Sequence, residues 1–117
     1  MRNHKSLLAW QKARAVVDAV VTIGLHHWTP AAGFLIGQLQ RAALSSQINI
    51  AEGYALRSPA RFHYHLSVAY GSAVESMELL ELLRDHGLAP RLLVQDALRN
   101  IGQVQALTLG LLRKYSS

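Results

Sequence analysis

The sequence predicts an all-α protein, an antiparallel up-and-down four-helix bundle, and three observations predict it. Apolar residues recur at spacings of three and four through four long segments. Proline and glycine signals punctuate the chain at three places between them. No segment alternates with period two over the length of a strand.

The punctuation sets the elements. Thr29-Pro30 and Ser58-Pro59 each place an N-cap oxygen before a proline at the first helical position, where the missing N–H costs nothing. Gly87 suits a left-handed helix stop, and Pro90 opens the next element. The spans expected are 5–27, 30–56, 59–86 and 90–115, joined by links short enough to make neighbours antiparallel. Trp10, Ala13, Val17, Val20 and Gly24 form the first seam. Leu39, Ala43, Ser46 and Ile50 form a weaker second one, unusually small and polar. Phe62, Leu66, Ala69, Ala73, Met77, Leu80 and Leu83 make the third, and Val94, Ala97, Ile101, Val104, Thr108, Leu111 and Tyr115 the fourth.

A chain of 117 residues suits a single domain over 1–117. Half of its residues are apolar and only 16% are charged, against roughly a quarter in ordinary domains. A monomer this poor in charge must expose apolar area that an oligomer would hide. The fourth segment is apolar over an arc of roughly 200°, about twice a minimal core stripe. Leu93, Leu107 and Leu109 lie at its margins, and Val68, Leu79 and Leu82 lie off the third seam. These wide faces predict a second, intersubunit interface. The net charge of +5 favours acidic partners such as nucleic acid. Glu78, Glu81 and Asp85 form an acidic ridge on the third helix, either solvated or paired with basic helices. Asp18 interrupts the apolar stretch from Ala15 to Val21, so the start does not resemble a signal peptide. No run approaches the ~20 apolar residues of a membrane span. A cytoplasmic location follows as the expectation.

Catalytic and metal chemistry find no pattern in the sequence. His26-His27 are adjacent and His63 and His65 are two apart, so neither pair shares a helix face, and cysteine is absent. Ser45, Ser46, Ser67 and Ser72 stand in no nucleophile elbow. Gly33 and Gly37 open no phosphate loop and read as small residues for close helix packing. The expectation is a protein with no enzymatic activity, no metal, no cofactor, no membrane association and no small-molecule substrate. The unusual stretch runs from Arg41 to Gly53. Asn49 and Glu52 lie one turn apart there and can point into one interface. If buried, Glu52 needs a cation such as Arg41 or Arg57.

In this stretch the sequence resembles a known family, the four-helix-bundle proteins associated with intervening sequences in 23S ribosomal RNA genes. Leu8-Ala9-Trp10-Gln11-Lys12-Ala13 is similar to its opening motif. Gln40-Arg41-Ala42-Ala43-Leu44-Ser45 through Asn49-Ile50-Ala51-Glu52-Gly53 resembles its central signature, and Phe62 with Leu66, Ala69, Gly71-Ser72 and Glu75 its third-helix motif. Gln40 and Gln47 depart from the arginine and the proline frequent at those positions. The first loses a charge; the second should leave the second helix straighter. The resemblance implies a homo-oligomeric ring, typically a pentamer, and no catalysis. Relatives include the accessory variability proteins of diversity-generating retroelements, basic pentameric barrels that bind reverse transcriptase and nucleic acid.

The functional expectation is a scaffold or adaptor for RNA or a ribonucleoprotein, with phosphate contacts from Arg2, Lys5, Lys12, Arg14, Arg41, Arg99, Arg113 and Lys114. The competing expectation is a protein-only module for self-assembly and partner binding.

Overall fold

The structure, a computed structural model, describes residues 3–115. Among these residues there are four α-helices, one short 3-10 turn at His4–Ser6 and no strand. The helices are α1 (Leu8–His26), α2 (Gly33–Ala55), α3 (Pro59–Asp85) and α4 (Arg91–Tyr115). Each packs against two others. α1 touches α2 and α4, and α3 touches the same two, so the four close around one core. The assembly measures 44 × 25 × 21 Å.

The predicted caps largely form. Ser58 Oγ accepts from the Arg61 amide at 3.4 Å, with Pro59 opening α3. Gly87 has φ 62°, and the Leu88 and Gly87 amides donate to Leu83 and Arg84 carbonyls at 2.9 and 3.1 Å, closing a Schellman motif. Two starts differ from expectation. The Asn3 side chain caps the Lys5 amide at 2.9 Å, and extended backbone at Leu7 separates that turn from α1. Thr29 does accept from the Ala32 amide at 3.2 Å, but through an isolated turn, and α2 begins only at Gly33. The Trp28 indole lies there, 2.8 Å from where a Cβ on Gly33 would stand.

Ile23, Ile36, Leu39, Ile50, Leu66, Leu80, Leu83 and Ile101 are the largest fully buried side chains. The seams of α2 and α4 hold through Ile50 and Thr108. In α3 Ser76 is buried where Met77 was expected; Met77 packs beside the core. The seam of α1 is turned by about one residue. Ala9, Ala13, Val16, Val20 and Ile23 are buried, while Trp10 and Val17 pack at the margin. An indole is too wide for the seam, and Trp10 instead meets the His4 ring edge-on at 5.4 Å.

The wide faces also resolve differently. Leu79, Leu93 and Leu107 pack against the chain's own core, Val68 and Leu109 are half-buried, and Leu82 is exposed as the wide-face reading expects. The most exposed large apolar side chains lie elsewhere, Leu25 at 73% and Phe34 at 72% among them.

Glycine placement separates close approach from open surface. A Cβ on Gly53 would stand 2.7 Å from His65 Cβ and 3.1 Å from Phe62 Cδ1, so α2 and α3 come together there through a missing side chain. Gly24 likewise faces the Gln40 amide. Gly37, expected to permit close packing, has nothing within 4 Å, and neither has Gly71. Gly53→Ala should therefore destabilise by about 1–2 kcal/mol through overpacking. Gly71→Ala should stabilise by about 0.5–1 kcal/mol through helix propensity. Urea denaturation of the two variants checks the opposite signs.

Candidate functional site

The small, polar seam of α2 meets α3 in a continuous chain of hydrogen bonds. Ser45, Asn49 and Glu52 follow at i, i+4 and i+7, and His65 and Ser72 lie seven apart on α3, so each set forms one ridge. The Ser45 and Ser72 hydroxyls share a hydrogen bond of 2.8 Å. Asn49 Nδ2 donates to the Ser45 carbonyl at 2.9 Å and to Ser45 Oγ at 3.2 Å. Its Oδ1 must then accept, and it lies 2.9 Å from His65 Nδ1. That assigns the His65 proton to Nδ1 in the neutral ring. Ser46 Oγ donates to the Ala69 carbonyl at 3.3 Å. Among the described residues no buried side-chain nitrogen or oxygen lacks a partner.

Glu52 does not enter the interface. Its side chain is 60% exposed, with Oε2 4.0 Å from His65 Nδ1. Arg41, one of its two anticipated partners, instead bonds Gln38 Oε1 at 2.7 Å within its own helix. His65 is the group that sequence reasoning missed. The available signal was a polar ridge on α2 that needed a polar partner, and His65 stands on the matching ridge of α3. The brace is a positioning device: it fixes how α2 and α3 register against each other.

The eight candidate phosphate-contacting residues come from several elements of the chain. Arg2 lies outside the described residues. Lys5 stands in the 3-10 turn, and Lys12 and Arg14 stand in the first half of α1. Arg41 is exposed on α2, which does not touch α4, where Arg99 stands. Arg14 pairs with Asp18 at 2.9 Å, and Arg99 pairs with Asp96. Arg113 and Lys114 form the basic last turn of α4. The Phe62 and Tyr115 rings meet edge-on at 5.1 Å and bring that turn against the start of α3. Arg57 and Arg61, not among the candidates, flank the same end. The acidic ridge pairs within its own helix, Arg84 lying 2.9 Å from Asp85 and 3.9 Å from Glu81.

Among the described residues no group of three or more His, Cys, Asp or Glu side chains stands ready to hold a metal ion. No described helix is long and apolar enough to cross a membrane. The signature residues divide between roles. Ser45, Asn49, Gly53 and Ser72 build the α2–α3 contact, whereas Glu75 and Gly71 face outward.

Comparison with known proteins adds one finding. A family model described as 23S rRNA-intervening sequence protein matches residues 5–110. No curated protein matches the chain at a significant level.

Replacing Asn49 by alanine removes three hydrogen bonds and leaves His65 Nδ1 and Ser45 to find others. The expected loss is about 1–3 kcal/mol, read from the midpoint of chemical denaturation.

Proposed function

The chain belongs to the 23S rRNA-intervening sequence protein family, and from that premise we propose that it is a cytoplasmic, non-enzymatic, homo-oligomeric scaffold or adaptor that binds RNA or a ribonucleoprotein. In this reading its helices run antiparallel in up-and-down order, and its working unit is a ring, a pentamer in the form the family resemblance implies. The pairs Ser45–Ser72, Asn49–His65 and Gly53–Phe62 step in opposite directions along α2 and α3, which supports the antiparallel order.

The observation that carries the oligomer is the composition of two outer faces. Phe34, Arg41, Leu44 and Ile48 are exposed within an arc of about 80° on α2. Tyr64, Val74, Glu78 and Leu82 are exposed within a similar arc on α3. The α2 arc also holds Glu52 at its edge, and the α3 arc also holds Ser67, Gly71 and Asp85. Two different patches on one chain, one mainly apolar around Arg41 and one carrying two acids among its apolar residues, favour head-to-tail contact, and a head-to-tail contact that closes makes a ring. Assembly would multiply the net +5 of each copy into a field able to recruit phosphate.

Light scattering should give a mass several times 12.9 kDa. Leu44→Glu with Ile48→Glu should return it to the monomer value while the helical circular dichroism persists. A monomer at micromolar concentration in the parent protein refutes the ring. RNA binding should weaken steeply with salt, and its absence at low salt refutes the RNA part. The internal pairing of Arg14 and Arg99 favours the second reading, a protein-only assembly module. In that case removing the charges of Lys12 and Arg14 leaves partner binding unchanged.

A further inference from the structure

Where α2 passes into α3 and α4 ends, the surface opens into a pocket of about 360 Å³. Gly53, Tyr54, Arg57, Ser58, Phe62 and Tyr115 are among the residues that line it. Three rings stand edge to face, Tyr54 to Phe62 at 5.9 Å and Phe62 to Tyr115 at 5.1 Å. Both tyrosines line the pocket and carry phenolic hydroxyls that can donate or accept hydrogen bonds. The volume lies at the low end of ligand-pocket sizes, enough for one small planar molecule.

The surroundings select the charge of that molecule. No lining residue is acidic. Neither chain stretch that builds the pocket contains an acid: none occurs from Gly53 to Val74, and none follows Asp96. Arg57 lines it, Arg61 and Arg113 are exposed nearby, and Lys114 Nζ lies 5.8 Å from the Tyr115 ring centre. Arg57 also adopts φ 52°, the only positive φ outside glycine among the described residues. At the end of α2 glycine would fit this left-handed conformation without penalty.

We propose that this pocket binds a nucleotide, its base against the tyrosine rings and its phosphate toward Arg57. Within the RNA reading, on which this part rests, the nucleotide is an unpaired one of a bound strand. Bases of every kind present a stacking face, so the pocket would prefer single strands over duplex without strong sequence preference.

The test uses the full chain at low salt with three probes: adenosine monophosphate, a labelled ten-nucleotide RNA strand, and the same strand annealed to its complement. Nucleotide binding is read by tyrosine fluorescence and RNA binding by anisotropy. Tyr115→Ala alters an exposed residue in the last turn of α4, and Arg57→Gly relieves backbone strain, so both variants should stay folded. Both should weaken single-strand and nucleotide binding about tenfold and leave duplex binding unchanged. Single-strand binding unaltered in both folded variants overturns the pocket and leaves the RNA scaffold standing. Nucleotide binding that the variants weaken, without any RNA binding, supports the pocket and overturns the RNA reading. Failure of both the nucleotide and the strand to bind overturns the inference.

Discussion

The close approach of α2 to α3 at Gly53 is the constraint on which the other contacts depend. A backbone that comes this near a neighbouring Cβ excludes bulk along the whole shared seam, and Ala42, Ala43, Ser46, Ala69, Ala73 and Ser76 meet that requirement. Small residues bury little apolar area each and interlock weakly, so their shape alone does little to fix how far one helix slides along the other. Hydrogen bonds through Ser45, Asn49, His65 and Ser72 fill the difference in specificity. A hydrogen bond to a defined atom is directional, whereas leucine against leucine tolerates sliding by a turn. The brace thus selects one register for two helices whose packing alone would admit several.

Much of this was legible in the residues, for reasons that differ by element. Ser58-Pro59 and Gly87 act through local backbone chemistry, and local rules found both ends of α3. The seams of α3 and α4 carry clear periods and that of α2 a weaker one, and their buried residues match closely. α1 was read one residue out of phase because a tryptophan weighs heavily in any apolar count, while geometry admits only Ala9 and Ala13 at that contact. Gly37 and Gly53 are indistinguishable by composition; which one meets a neighbour depends on helix rotation. The partner of Asn49 was hidden for the same reason. A polar ridge announces that it needs a partner, but only the packing of α3 identifies His65.

The distribution of apolar surface follows from the same economy of volume. A core built partly of alanine and serine has little room for large side chains, yet half of the sequence is apolar. The surplus has to lie outside, and it is ordered there. On α2 and α3 it forms stripes rather than scattered single residues, which is what separates a contact surface from the ordinary apolar fraction of a protein exterior.

Charge placement carries the argument one step further. A helix favours acids in its first turn and bases in its last. None of the four helices has an acid in its first turn. α3 reverses the preference: Arg61 stands near its start, and Glu78, Glu81 and Asp85 lie toward its end, with Arg84 the one basic residue among them. Helix stability does not explain this pattern, since each misplaced charge costs a few tenths of a kcal/mol at an exposed site. Segregation of this kind leaves the end of the bundle where α3 starts and α4 stops rich in cations, and the far half of α3 acidic around Arg84. In α3 the fold is thus set by apolar periodicity and caps, while the charges are laid out against the preference of the helix dipole.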